Sequence, residues 1–475
     1  MRTVSAVTVF ASTLALAVGC GDDSSGSASD GATGSGASTQ DPAGSSSGSS
    51  ANSNSNASAT DPASGTETEG DSNSTVTTTT GDTSSSGDPL TSGPKFDVAA
   101  QDQAADDCQA KCGNTDWSYV WIANSGENTI SKIDTREVIE VGRYYTRPDK
   151  QGNPSRTSVS IDAKAVAVAN RSGGITKIWA RDEYCEDKNQ NGMIDTSTGS
   201  GDVREFDQEE CIAWHTPFPA ATTQRPIAWT SGVYNEETCE YDDQKIWTAA
   251  GNGGGGTWPC DGTDGIYVYL LSGDDGSIEE TIHMPDVDCG GTFGPYGAAV
   301  DFKNDVWIYI WSAGKIVHVE YDTLDYEVIS GGSYGITVDT LGRVWVGDSP
   351  RRYDPDMGIW EQANPNLPGS GGAGIAEDLQ GRMWTSTQGG VGWVDRDTLT
   401  VGDTIPLPEG NGIYRGIGVD VDGYIWAVYL GGTTAHRIDP DTYEVSTYTG
   451  LNSPYTYSDM AGGQINNVTC NPPNG

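Results

Sequence analysis

Four stretches of the chain repeat one alternation of apolar and polar positions: "YGAAVDFKNDVWIYI" from Tyr296, "YGITVDTLGRVWVGD" from Tyr334, "AGIAEDLQGRMWTST" from Ala373 and "RGIGVDVDGYIWAVY" from Arg415. In each, an apolar run ends on an acidic residue, a short turn bearing Gly or Asn follows, and a second apolar run carries Trp. The pattern predicts two antiparallel strands joined by a tight turn. The tryptophans Trp307, Trp345, Trp384 and Trp426 are separated by 38, 39 and 42 positions, a period that suits a four-stranded propeller blade. Further strands run through phrases such as "HRIDPDTYEVSTY" from His436, where "DPDT" makes the next turn.

Three more units emerge once insertions are allowed: "YVWIANSGENTISKID" around Trp121, "SVSIDAKAVAVANRSGGITKIWA" from Ser158 and "KIWTAAGN" around Trp247. The expected fold is therefore all-β, a seven-bladed β-propeller over residues 95–475. Its first unit begins at a second strand, so another segment has to supply the innermost one. The expectation is that "MAGGQINNVTC", residues 460–470, does so as a strand and closes the ring without leaving an exposed sheet edge. Cys470 would then lie beside the first N-terminal strand and pair with Cys108 or Cys112. Cys260 and Cys289 fall in loops on one face and are expected to pair. Cys185 and Cys211 bound an insertion, residues 182–211, on the opposite face, where Cys239 also falls with its partner open.

The N-terminus carries no such pattern. Residues 1–20 join Arg2 to an uncharged run from Val4 to Val18, an export signal too short to persist as a membrane span. Its "AVGC" ending resembles a bacterial lipobox, with Ala17 where Leu is commoner. Cys20 is then expected to become the lipidated first residue of the mature protein. Residues 21–94 are almost wholly Ser, Gly, Thr, Asn, Ala and Asp, with ten acidic residues and no basic one. This composition has too little apolar surface to offset ordering entropy and predicts a disordered acidic tether. The address that follows is the bacterial cell envelope, at the outer membrane or cell surface, with the membrane as a partner through the lipid. Over the whole chain 26 Lys and Arg face 67 Asp and Glu, a balance that repels phosphate backbones and excludes a nucleic-acid partner.

Candidate chemistry is sparse. In "EDKNQNGMIDTST" from Glu186, Asp187, Asn189, Asn191 and Asp195 occupy positions 1, 3, 5 and 9 of a calcium-type loop, Gly192 allows the turn at 6, and Met193 offers its carbonyl at 7. Thr198 stands where a bidentate Glu belongs at position 12, unless Asp202 or Glu205 folds back. The loop predicts a structural calcium, remote from any channel. "GGSYG" around Ser333 enters a propeller strand and lacks the strand-turn-helix setting of a nucleophile elbow. The recurrent Asp301, Asp339, Asp378 and Asp420 read as turn caps.

The phrase "IANSGENTISKID" and the repeated units resemble the seven-bladed streptogramin (virginiamycin B) lyases and related surface propellers, over most of residues 115–468. The resemblance implies a carbon-oxygen lyase with a His before the Gly of an innermost strand. Here those positions are Tyr296, Tyr334, Ala373 and Arg415, so the base is missing, although Asp348 follows Trp345 where the family places an acid. Arg156, Arg225, Tyr296, Tyr334, Tyr414 and Arg415 all fall near the starts of innermost strands and form a candidate rim for an anionic ligand, unless salt bridges to neighbouring acids absorb them. The expected function is a recognition module for a protein, glycan or small molecule. A lyase or hydrolase with a diverged site is the alternative.

Overall fold

Each recurrent Asp sits at the end of an innermost strand and ties down the turn after it. The carboxylate of Asp378 accepts from the backbone N–H groups of Gln380 and Arg382, both at 2.9 Å, and Asp339 and Asp420 repeat the arrangement. The fourth turn residue adopts a left-handed conformation (Asn304, Gly342, Gly381, Gly423), which explains why Gly or Asn recurs there. The same carboxylates then accept from the indole Nε1 of the buried Trp on the next strand: Trp307 at 3.1 Å, Trp345 and Trp384 at 2.8 Å and Trp426 at 2.9 Å. Asp, turn and Trp are thus one hydrogen-bonded unit, and the reading of these acids as caps holds.

The computed structural model describes residues 116–252, 260, 264–289, 293–311 and 313–470. Seven antiparallel blade sheets follow one another along the chain, with one separate two-stranded hairpin, Val233–Asn235 and Glu240–Asp242, inserted after the inner strand of blade 3. Blade 1 has three strands, Tyr119–Asn124, Thr129–Asp134 and Ile139–Tyr145. Blade 2 runs from Pro154–Val159 to Ile212–Thr216. Blade 3 has an interrupted inner strand, Ala221–Thr222 and Ile227–Trp229, and ends with Ile278–Met284. Blades 4 to 7 begin at Pro295–Val300, Ile336–Val338, Ile375–Glu377 and Tyr414–Val419, with four strands each. The apolar core lies between neighbouring blades: Trp247, Val268 and Met284 of blade 3 pack with Val306, Ile308 and Val317 of blade 4.

Blade 1 lacks its innermost strand, as expected, but residues 460–470 do not replace it as a strand. Gly463–Cys470 is an α-helix. The buried carboxylate of Asp459 caps it, accepting from the N–H groups of Gly462 at 2.8 Å and Ile465 at 3.0 Å, and a capped helix start competes effectively with an extended chain. The inner position is filled by the irregular segment just before it. Tyr455 N donates to Ala123 O, Trp121 N to Met460 O and Val159 N to Asp459 O, at 3.0, 2.8 and 3.1 Å. The tail therefore closes the ring with residues 454–460. The helix then packs at the far ends of the innermost strands, where Asn467 donates to Glu377 O and Gly463 abuts Val419 O. It stoppers one end of the central channel.

The disulfides Cys185–Cys211 and Cys260–Cys289 form as expected. Cys239 and Cys470 are also disulfide-bonded. Cys20, Cys108, Cys112, the signal and the tether lie outside the described residues.

Candidate functional site

Innermost strands all begin at the same end of the channel, opposite the helix, so residues near those starts converge. Arg156 of blade 2, Arg225 in the interruption of blade 3's inner strand, Tyr296 of blade 4, Tyr334 before the inner strand of blade 5 and Arg415 of blade 7 meet there. Two residues of the tail, Tyr455 and Tyr457, project into the group from the blade 1 side, and Arg171 joins from the turn after the second strand of blade 2. The Arg156 guanidinium lies 3.2 Å from the Tyr457 ring centre and 4.8 Å from that of Tyr296. Arg225 lies over Tyr296 at 4.8 Å, Arg171 over Tyr455 at 4.5 Å and Arg415 over Tyr334 at 4.6 Å. The hydroxyl of Tyr455 is hydrogen-bonded to those of both Tyr296 and Tyr334.

None of these four arginines forms an ion pair among the described residues, so salt bridges to neighbouring blades do not absorb them. Arg171 is tied to Ser125, Asn153 and Pro154, and Arg415 donates to Gly372 O. Arg156, fully buried, donates Nη1 to Ser155 O, and its Nε and Nη2 find no acceptor among the described residues. The Arg225 side chain, 4% exposed, makes no hydrogen bond among the described residues. Cation–π contact is worth about 0.5–2 kcal/mol per pair, whereas desolvating a guanidinium costs several kcal/mol. The rings alone do not offset the burial.

The electrostatics follow. Burial drives the phenol pKa of Tyr296, Tyr334 and Tyr457 upward. Burial also pushes Tyr455 up, but Arg156, Arg225, Arg415 and Arg171 pull it down further, to about 7. Burial, aided by repulsion from Arg225, lowers Arg171 to about 9. Nearby Asp348 is raised by burial despite Arg351 and Arg415, and it forms no ion pair among the described residues.

Tyr414 does not belong to the group. Its hydroxyl donates to Glu409 at 2.7 Å, and His436 Nε2 lies 2.7 Å from the same carboxylate. Adjacent strand residues face opposite sides, so with Arg415 turned to the channel Tyr414 points into the blade. Arg171, Tyr455 and Tyr457 were missed by sequence reasoning. The "YTY" alternation of the tail was the available signal for the tyrosines.

The calcium-type loop lies in the blade 2 insertion, away from the channel. Asn189 and Asn191 direct their Nδ2 groups onto Asp195 Oδ2 at 2.8 and 2.7 Å, and the Asp187 carboxylate accepts from the N–H groups of Asn191 and Gly192. Asp202 instead bonds Thr198, and Glu205 pairs with Lys150. Neither supplies the missing carboxylate. Glu210 reaches the loop, accepting from Asn189 N at 3.1 Å and Asp195 N at 2.7 Å. Met193 is exposed.

A second group, Asp301, Asp305 and His318, brings ligand-type atoms within 4.8 Å of one another. Its members are already engaged: Asp301 holds Trp307, Asp305 accepts from Tyr321 N, and His318 lies between Asp305 and Glu327 while stacked on Trp307 at 3.8 Å. Ser333 donates to Asp348 O. All four histidines, His215, His283, His318 and His436, stand on third or fourth strands, away from the channel.

Neither a family model nor a curated protein sequence matches the chain. Solved structures do. The chain is similar to a streptogramin B lyase structure at 18% identity and a TM-score of 0.43, covering 64% of this chain and 86% of that one. It is similar to virginiamycin B lyase from Staphylococcus aureus at 17% and 0.39, covering 51% and 75%. A dihydro-heme d1 dehydrogenase aligns at 12% and 0.42, covering 73% and 76%. The resemblance to the streptogramin lyases read from the sequence thus recurs among folds. At this distance it bears on neither activity nor ligand.

Proposed function

We propose that the chain is a lipid-anchored recognition module of the bacterial cell envelope, which takes its ligand at the arginine-lined end of the propeller channel. One observation carries this reading: four buried or half-buried guanidinium groups converge there on tyrosine rings, with no carboxylate among the described residues paired to any of them. An unneutralised cationic site within a protein of net charge −41 is a specific device for holding an anion. The signal sequence and the tether motivate the address. The disulfides suit an oxidising compartment, and no described helix is long and apolar enough to cross a membrane. Elimination chemistry would need a base at the channel, and every imidazole of the chain lies elsewhere.

Calcium has a structural part in this reading. Asp187, Asn189, Asn191, Asp195 and Glu210 offer a hard-oxygen donor set, and the Cys185–Cys211 bridge fixes the insertion that carries them. Loading requires both Asn amides to turn their oxygens toward Asp195, since their nitrogens face it now.

The test is a glycan and metabolite binding screen with the full mature chain, with Arg415→Ala as control. Ligand retained equally by the variant removes the channel as the site. Turnover of a streptogramin would replace recognition by the lyase reading.

A further inference from the structure

Resting on the recognition reading, we infer that the ligand presents a divalent tetrahedral oxyanion, a phosphate or sulfate group, to Arg156, Arg171, Arg225 and Arg415. The charge balance argues first. Four arginine cations face two groups able to ionise, the Tyr455 phenol and the Asp348 carboxylate near Arg415, so among the described residues at least two charges remain uncompensated. A monovalent anion leaves one, whereas a dianion brings the site to the balance that buried charges require.

Donor geometry argues second. A planar carboxylate is matched by one guanidinium fork. Here the guanidinium groups arrive from blades 2, 3 and 7, on different sides of a ring-shaped wall. The unsatisfied N–H groups are Arg156 Nε and Nη2, Arg225 Nε and Arg415 Nε. Donors spread in this way suit an acceptor whose oxygens point in several directions, as those of phosphate and sulfate do.

The surroundings supply the rest. Trp311 lies 4.7 Å from Tyr296, 5.2 Å from Tyr334 and 5.7 Å from Phe293, measured between ring centres. Trp311 and Phe293 are only partly buried, so this aromatic collar sits where the body of an ester would emerge from the channel. Free inorganic ions and esters share the head-group chemistry, and the collar separates them experimentally.

The experiment is thermal unfolding and titration calorimetry of the full mature chain with sodium phosphate, sodium sulfate, phenyl phosphate and sodium chloride at equal ionic strength. Phosphate and sulfate are expected to stabilise the fold saturably while chloride does not. A larger effect of phenyl phosphate assigns the site to esters; an equal effect assigns it to the free ion. Arg225→Met removes a side chain with no hydrogen bond to lose among the described residues, so the variant is expected to fold, and to bind the oxyanion roughly tenfold or more weakly. Arg415→Gln, at a half-exposed position, provides a second variant with the same expectation. Phosphate and sulfate indistinguishable from chloride, or undiminished binding by both variants, would overturn the inference. An uncharged ligand lost in Arg415→Ala, with no oxyanion response, would leave the recognition reading standing and sink this one alone.

Discussion

Tyr455 offers the sharpest measurement of the channel cluster. Its phenol is surrounded by arginine cations, and its pKa falls from the usual 10.0 to about 7. Arg171 and Arg156 lie 4.5 and 5.3 Å from its ring. At an effective dielectric of about 20, one unit charge some 5 Å away contributes about 3 kcal/mol, roughly two pKa units, so several guanidinium groups together outweigh the desolvation of a buried phenolate. The folded chain therefore releases this proton near neutrality, while the unfolded chain holds it until about pH 10. Stability from this group is fully present above the unfolded pKa and is lost as pH falls through about 7, with a ceiling of about 4 kcal/mol. Lys132 and Lys177, both lowered to about 8 by burial, change stability in the same direction, so a pH series of melting temperatures does not isolate Tyr455. Phenolate absorbance in the near ultraviolet does. One tyrosine of the 21 is expected to ionise between pH 6 and 8; Tyr455→Phe should abolish that step, and Arg225→Met should move it up by about one unit. A phenolate signal that begins only above about pH 9, or that persists in Tyr455→Phe, would refute the electrostatic account of the site.

Other expectations concern the scaffold. Asp378→Ala strips acceptors from two backbone N–H groups, from Trp384 Nε1 and from the Arg382 ion pair; it should cost about 3–5 kcal/mol in chemical denaturation, and a loss under about 1 kcal/mol would show the Asp–Trp unit to be dispensable. Calcium should raise the melting temperature and a chelator reverse it, with Glu210→Ala abolishing the response; equal melting with and without calcium removes the ion from the loop. Peptide mapping without reduction should join Cys470 to Cys108 or Cys112, and recovery of Cys470 as an alkylated thiol would contradict a latched tail.

The legible and illegible parts of the chain differ in how locally they are determined. Asp, left-handed Gly or Asn and Trp recur because these blades solve the same turn with the same few bonds, so the period could be read from residues 296–429 alone, and the blade count once the three units with insertions were added. The tail has no such repetition. Its closing segment is irregular, with Ser453 and Ser458 at positive φ, and its strand-like "INNV" is overridden by Asp459, whose carboxylate starts a helix. The candidate rim was half legible for the same reason. Starts of innermost strands share one radius, so Arg156, Arg225 and Arg415 could be grouped by register, but the side each residue faces depends on single-residue alternation, which placed Tyr414 in the blade.

Composition obscures the channel further. A net charge of −41 predicts repulsion of anions everywhere, yet fields inside a low-dielectric ring are set by the nearest few groups rather than by the total. Many of the described acidic residues stand exposed in turns, where water screens them, while the four arginines are buried or half-buried at the channel. The acidic exterior thus does not cancel the cationic channel. It discourages anions from settling at other surfaces and leaves the channel mouth as the place where one is stabilised, so anion binding there should weaken far less with added salt than a surface ion pair would.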